Sequence, residues 1–193
     1  MPVSTGDIIR GVWGAWRLAR RDTDGMAMFD VSPDGAAKSF VAAALAAPAY
    51  MLLQGLVLGS SWPLLLQPGA FLVEALGYIA AWTLMPAALT WILPALDRGR
   101  RIPDGIVAYN WSALLIVIAQ LCLMLVYASG LLPGSVLDIA SVALMVACLF
   151  YEGFVLRTAL DLEIPIVIGL VAFDQVLSYI LAGWVDLVAH AAR

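Results

Sequence analysis

Of the 193 residues, 63% are hydrophobic and 12% are charged, about half the charged share of a soluble domain. A water-soluble fold of this length could not hide so much apolar surface, so the composition argues against one and predicts a single compact α-helical membrane domain with a short extramembrane segment. The formal net charge of −4 adds little, because a lipid-facing surface decides solubility.

Ser4 or Thr5 is the expected cap of a first helix. Ile8, Ile9, Val12, Trp13, Trp16 and Ala19 recur at helical spacing, and Arg10, Arg17, Arg20 and Arg21 fill other positions. This pattern predicts an amphipathic cytoplasmic helix lying in the plane of the inner leaflet, with Trp13, Trp16, Arg17, Arg20 and Arg21 binding the membrane surface. Packing of the same helix on the cytoplasmic ends of the spans is the other reading, and both can hold together. No uninterrupted apolar h-region is present, so no cleavable signal peptide is expected. Residues 22–38, with Gly25, Pro33, Gly35 and four aspartates, read as a linker. Asp22-x-Asp24-Gly25 lacks the further acidic ligands of a calcium loop. Ser32-Pro33-Asp34-Gly35 reads as a turn into the first span. A cytoplasmic unit, 1–38, thus precedes a transmembrane unit, 39–193.

Five runs reach the roughly 20 apolar residues that a helix needs to cross a bilayer: 40–60, 71–93, 106–126, 136–156 and 164–185. Arg10, Arg17, Arg20, Arg21 and Lys38 precede the first. Arg98, Arg100 and Arg101 lie between the second and third, and Arg157 lies between the fourth and fifth. The alternate loops carry no basic residue, and only Arg193 breaks the pattern. The bias predicts a cytoplasmic N-terminus and, with an odd number of spans, a C-terminus on the other side. Trp62, Trp91, Trp111 and Trp184 fall towards span ends, where interfacial anchoring is expected; Trp82 lies nearer the middle of its run. Pro48, Pro86 and Pro94 predict kinks. Gly55-Leu-Val-Leu-Gly59 is a GxxxG that permits close helix approach, including that of a second copy.

Ionisable residues inside apolar runs are costly and mark candidate sites. Asp174, with Gln175 beside it, lies about ten residues into the fifth run, near the midplane. Glu152 lies in the inner part of the fourth, and Glu74 at the outer end of the second. No basic residue shares the depth of Asp174, so it must be protonated, hydrogen-bonded or wetted. Gln120, Tyr127, Gln54 and Tyr50 are the expected partners. Asp174 either glues helices together or relays protons and contacts a solute. Arg157 can pair with Asp161 four residues on, bend back towards Glu152, or reach the 97–104 loop. Tyr109-Asn110-Trp111-Ser112 reads as a helix start with an interfacial anchor.

Cys122 and Cys148 lie in separate runs without a CxxC, and His190 is the only histidine. No redox pair, metal site or cofactor is therefore expected. No nucleophile–base set or phosphate loop is present, so no enzymatic activity and no nucleic-acid partner is expected.

Phe29-Asp-Val-Ser-Pro-Asp-Gly35, followed by Ser39-Phe40 and Pro48, resembles the approach to the first span in a group of bacterial inner-membrane proteins. Gly99-Arg-Arg-Ile-Pro103 through Tyr109 resembles the glycine-containing inner loop and tyrosine-bearing span of the Yip1 superfamily. The stretch from Tyr151 through Arg157 to Leu181 resembles that family's closing pair of spans. A cytoplasmic N-terminal segment, five spans and a short outer C-terminus share its layout. The resemblance implies a bacterial inner (plasma) membrane protein with a periplasmic C-terminus. Eukaryotic members act in vesicle traffic with small GTPases; their GTPase-binding segment has no match here, and no functional residue transfers.

The expected role is a non-enzymatic membrane scaffold or assembly factor, whose partners are the lipid bilayer and a second copy or another membrane protein. The alternative is a small-solute or proton-coupled permease using an intramembrane polar site of Asp174, Gln175, Gln120 and Glu152. For the first helix, replacing Arg17, Arg20 and Arg21 with glutamine should weaken binding of the isolated helix to anionic vesicles by about fivefold per charge. Unchanged binding in vesicle co-sedimentation would mean that the helix docks on protein instead.

Overall fold

The computed structural model describes residues 2–191, apart from the side chains of Trp62, Leu64, Leu65, Leu66, His190 and Ala191. Arg193, the one basic residue expected on the outer side, lies outside the described residues. All described elements are helical. Helix α1 (Thr5–Ala19) starts in a capping box, in which Asp7 N donates to Ser4 Oγ at 3.1 Å and Ser4 N donates back to Asp7 Oδ2 at 3.0 Å. The Ser4 backbone N–H holds the Asp7 carboxyl below the ordinary carboxylate range. Such a box satisfies two amides that a helix start leaves without partners.

The 22–38 segment is more ordered than a linker. A 3-10 helix, Thr23–Met28, is capped by the Asp22 side chain. Ser32 then caps α2 (Pro33–Ser39), with Pro33 in the first turn, so the expected Ser-Pro-Asp-Gly turn is a helix start. Pro fits there because its missing N–H would have no helical partner. Phe40 keeps a helical backbone (φ −64°, ψ −10°) between α2 and α3 (Val41–Leu58). Helices α1 and α2 both pack on a later helix, α5 (Ile102–Ala128).

The remaining α-helices are α4 (Pro68–Ala95), α6 (Gly134–Leu160) and α7 (Ile164–Ala191), with 3-10 helices at Gly59–Leu66 and Gly99–Arg101. Five stretches are long and apolar enough to cross a membrane: Pro33–Ser61, Pro68–Ala95, Gly99–Ala128, Gly134–Leu160 and Ile164–Ala189. All five predicted runs fall within them. The first ends where Gly59, at φ 53°, caps α3. Gly59 N–H still donates to Gly55 O, so the two glycines of the GxxxG stand one above the other on the last turn of α3.

Helix α5 is the hub, packing against α1, α2, α3, α4 and α6, while α7 closes the bundle against α4 and α6. Glycines allow the closest approaches. A Cβ on Gly105 of α5 would lie 2.7 Å from Leu160 of α6, and one on Gly77 of α4 would lie 2.4 Å from Val185 of α7. The most deeply buried large apolar side chains are Leu18, Met85, Leu89, Leu93, Val107, Val155, Leu156 and Leu160. These belong to the ends of α1, α4, α5 and α6 nearest the basic loops, so the core is concentrated at that end. Towards the opposite end, Leu72, Leu131, Ile139, Val142 and Ile180 are exposed.

Helix α1 is seated on this core. Gly11 lies against the Trp111 ring so closely that a Cβ would come within 2.1 Å of it, and Tyr151 Oη donates to Ala15 O at 2.8 Å. Trp111 is buried at 4% exposure and is no interfacial anchor. Gly11→Ala should destabilise the protein by about 1–3 kcal/mol through overpacking, read as a lower melting temperature in detergent. Gly6→Ala, whose Cβ would meet only Ser4 Oγ at 3.5 Å, should not. Equal melting of both variants would contradict the seating of α1 on Trp111.

Candidate functional site

Tyr109, Asn110 and Trp111 are consecutive on α5, and a helix turns about 100° per residue. They therefore face three neighbours. Tyr109 Oη donates to Asp174 Oδ1 of α7 at 3.0 Å. Asn110 Nδ2 donates to Ser39 Oγ at the end of α2 at 2.8 Å, and Ser39 Oγ donates on to Ala36 O at 2.7 Å. Trp111 lies beneath α1. Asn110 is fully buried, and its Oδ1 has no hydrogen-bond partner among the described residues.

The bond from Tyr109 opens a polar cluster shared by three helices. Asp174 is 7% exposed and Glu152 of α6 is 5% exposed. Gln175 Nε2 donates to Glu152 Oε2 at 3.4 Å, and the two carboxyl groups lie within hydrogen-bonding reach of each other. Glu152 Oε1 is buried without a partner among the described residues. Tyr109 lies seven residues past Ile102, Glu152 eight before Leu160, and Asp174 ten past Ile164. Alternating helix direction therefore brings all three to one level, between the basic end and the middle of the bundle. No group of three His, Cys, Asp or Glu among the described residues is gathered for a metal.

The expected site residues divide. Asp174, Gln175 and Glu152 come together. Gln120 is exposed on α5, eleven residues past Tyr109, and stands apart from the cluster. Of the other expected partners of Asp174, Tyr127 is exposed. Tyr50 Oη and Gln54 Nε2 instead donate to Glu74 Oε2 at 3.3 and 3.5 Å. Tyr109 was not expected in the site, although its depth below the basic loop matches that of the two carboxyls. Arg157 makes no ion pair among the described residues, and Asp161 meets Arg98 at 3.7 Å instead.

Helix α1 distributes its residues differently from the predicted apolar face. Gly11, Gly14, Ala15 and Leu18 are buried, and Ile8 and Val12 pack beside them. Ile9, Trp13 and Trp16 face outward at 63%, 55% and 49% exposure. A close seat on α5 requires small residues, so the tryptophans are excluded from it. Trp13, Trp16, Arg17, Arg20 and Asp22 line a shallow surface groove. Arg17 is committed within it: Nε donates to Asp22 Oδ2 at 2.6 Å and Nη2 lies 3.5 Å from Asp24. The Arg17 hydrogen bond holds the Asp22 carboxyl below its ordinary range. Arg20 and Arg21 make no ion pair among the described residues.

Comparison of the chain with protein-family models, with curated proteins and with solved structures found no match. The site therefore rests on its geometry. Tyr109→Phe should cost about 1–3 kcal/mol, because it leaves a buried carboxyl oxygen without its donor. Unfolding of the purified protein in mixed detergent should show the loss, with the exposed Tyr127→Phe unchanged. Equal stability of the two variants would remove Tyr109 from the cluster.

Proposed function

We propose that this chain is a non-enzymatic scaffold or assembly factor of the bacterial inner membrane, with a cytoplasmic N-terminus and a periplasmic C-terminus. Five apolar helices of sufficient length and the one-sided distribution of basic residues support the topology. The layout and motifs that resemble the Yip1 superfamily fit the same reading. The observation that carries the scaffold role is the burial of Glu152 and Asp174, 5% and 7% exposed, within a cluster whose hydrogen bonds from Tyr109 and Gln175 run between helices. Its polar groups are used to join helices.

The position of α1 supports a surface role as well. Its docking partner Trp111 lies nine residues past Ile102, about 14 Å along the helix. A helix of this length overhangs a hydrocarbon core of roughly 30 Å at both ends. With an overhang of about 5 Å per end, the Trp111 contact lies roughly 9 Å inside that core, a depth at which Ile9, Trp13 and Trp16 can enter the leaflet while Arg20 and Arg21 reach towards anionic headgroups.

Extraction of the intact protein in mild detergent should recover a stoichiometric membrane partner or a homo-oligomer; a clean monomer would count heavily against a scaffold. The unpartnered Glu152 Oε1 favours a second reading, a proton-coupled permease centred on Asp174. In that case Asp174→Asn should abolish flux in reconstituted vesicles with expression intact, and equal flux would sink it.

A further inference from the structure

The buried cluster is short of one hydrogen. Two ionised carboxylates offer four oxygens and no donor. The neutral side chains supply two donors: the Tyr109 hydroxyl to Asp174 Oδ1 at 3.0 Å and the Gln175 amide to Glu152 Oε2 at 3.4 Å. The carboxyls then face each other, with Glu152 Oε1 fully buried and without a donor among the described residues.

Among the described residues, nothing on the surrounding helices supplies a cation. Helix α5 contributes Tyr109, and α6 contributes Cys148 one turn from Glu152. Helix α7 contributes Gln175. Helix α4, packed on α7, carries no ionisable residue from Thr83 to Pro94. Helix α1 meets α6 through the Ala15 carbonyl. Arg157 is exposed, five residues beyond Glu152. Two bare like charges in contact in an apolar interior are not sustainable without a positive partner.

We infer that Glu152 and Asp174 form a binding site for a single proton, which lies between the two carboxyl groups and completes the joint of α5, α6 and α7. The proton comes from water. With it bound, the pair carries one negative charge, and one carboxyl donates to the other; without it, two negative charges meet at the joint. The inference holds for a scaffold and for a permease, since it concerns occupancy of the pair and not movement through it.

The test is infrared spectroscopy of the full-length protein in lipid nanodiscs at neutral pH, comparing wild type with the E152Q/D174N double variant. The difference should contain the C=O stretch of one protonated carboxyl per chain, shifted in heavy water. A difference of zero or of two protonated carboxyls overturns the inference. If the double variant fails to fold, E152Q alone serves. Its amide N–H replaces the missing donor, so it should melt like wild type while E152A melts lower. E152Q melting as low as E152A counts against the shared proton. Sodium raising the melting temperature of wild type but not of E152Q, relative to choline, would also overturn it, because the occupant would then be a metal cation.

Discussion

A helix turns about 100° per residue, so three consecutive side chains cannot serve one neighbour. Helix α5 exploits that constraint at Tyr109, Asn110 and Trp111. The first is bonded to α7, the second to the end of α2, and the third carries α1. Ser112 Oγ donates to Tyr109 O at 2.9 Å, back along the same strip. One turn of one helix thus ties together elements as far apart in sequence as Gly11 and Asp174. Moving α5 by one residue would turn every one of these contacts away from its partner.

That arrangement explains why the core is concentrated near the basic loops. Apolar helices surrounded by lipid gain little from burying apolar surface against each other, so close packing and polar bonds between helices carry more of the specificity. Both are found at that end, although the Gly77–Val185 approach and the bonds from Tyr50 and Gln54 to Glu74 lie in the other half. Gly11 and Gly105 bring α1 and α6 onto α5 at the basic end, and the bonds from Tyr109, Asn110 and Tyr151 lie within about three turns of the same end. The other ends of α3–α7 expose large apolar side chains such as Leu131 and Ile139.

How much of this was legible in the sequence depends on how local each signal is. Span number follows from length and hydropathy, which any window reveals, and the Ser4–Asp7 cap is written within four residues. Asp174, Gln175 and Glu152 stand out because polar groups are rare in apolar runs. Their partners were harder to identify. Gln120 and Tyr127 were expected on polarity alone, but the rotation of α5 leaves both exposed. Tyr109 reads as part of a helix start because it follows the Arg98–Arg101 loop, whereas α5 already begins at Ile102. Counting residues inward from each basic loop would have placed it level with both carboxyls. In α1, spacing identified a helix but not its docking face. Gly11, Gly14 and Ala15 carry no hydropathy signal that distinguishes a close contact from a bland surface.

The segregation of charge gives the buried carboxyls their character. The described basic residues gather at one end of the helices, so they cannot neutralise an acid set deeper between them. Five residues separate Glu152 from Arg157 on α6, a rotation of roughly 140° between their directions. Glu152 accordingly faces the interior while Arg157 is exposed. Helix α7, which carries Asp174, has no arginine from Ile164 to Ala191. The two acids are left to each other and to neutral donors from neighbouring helices, which ties their state to how closely α5, α6 and α7 are joined.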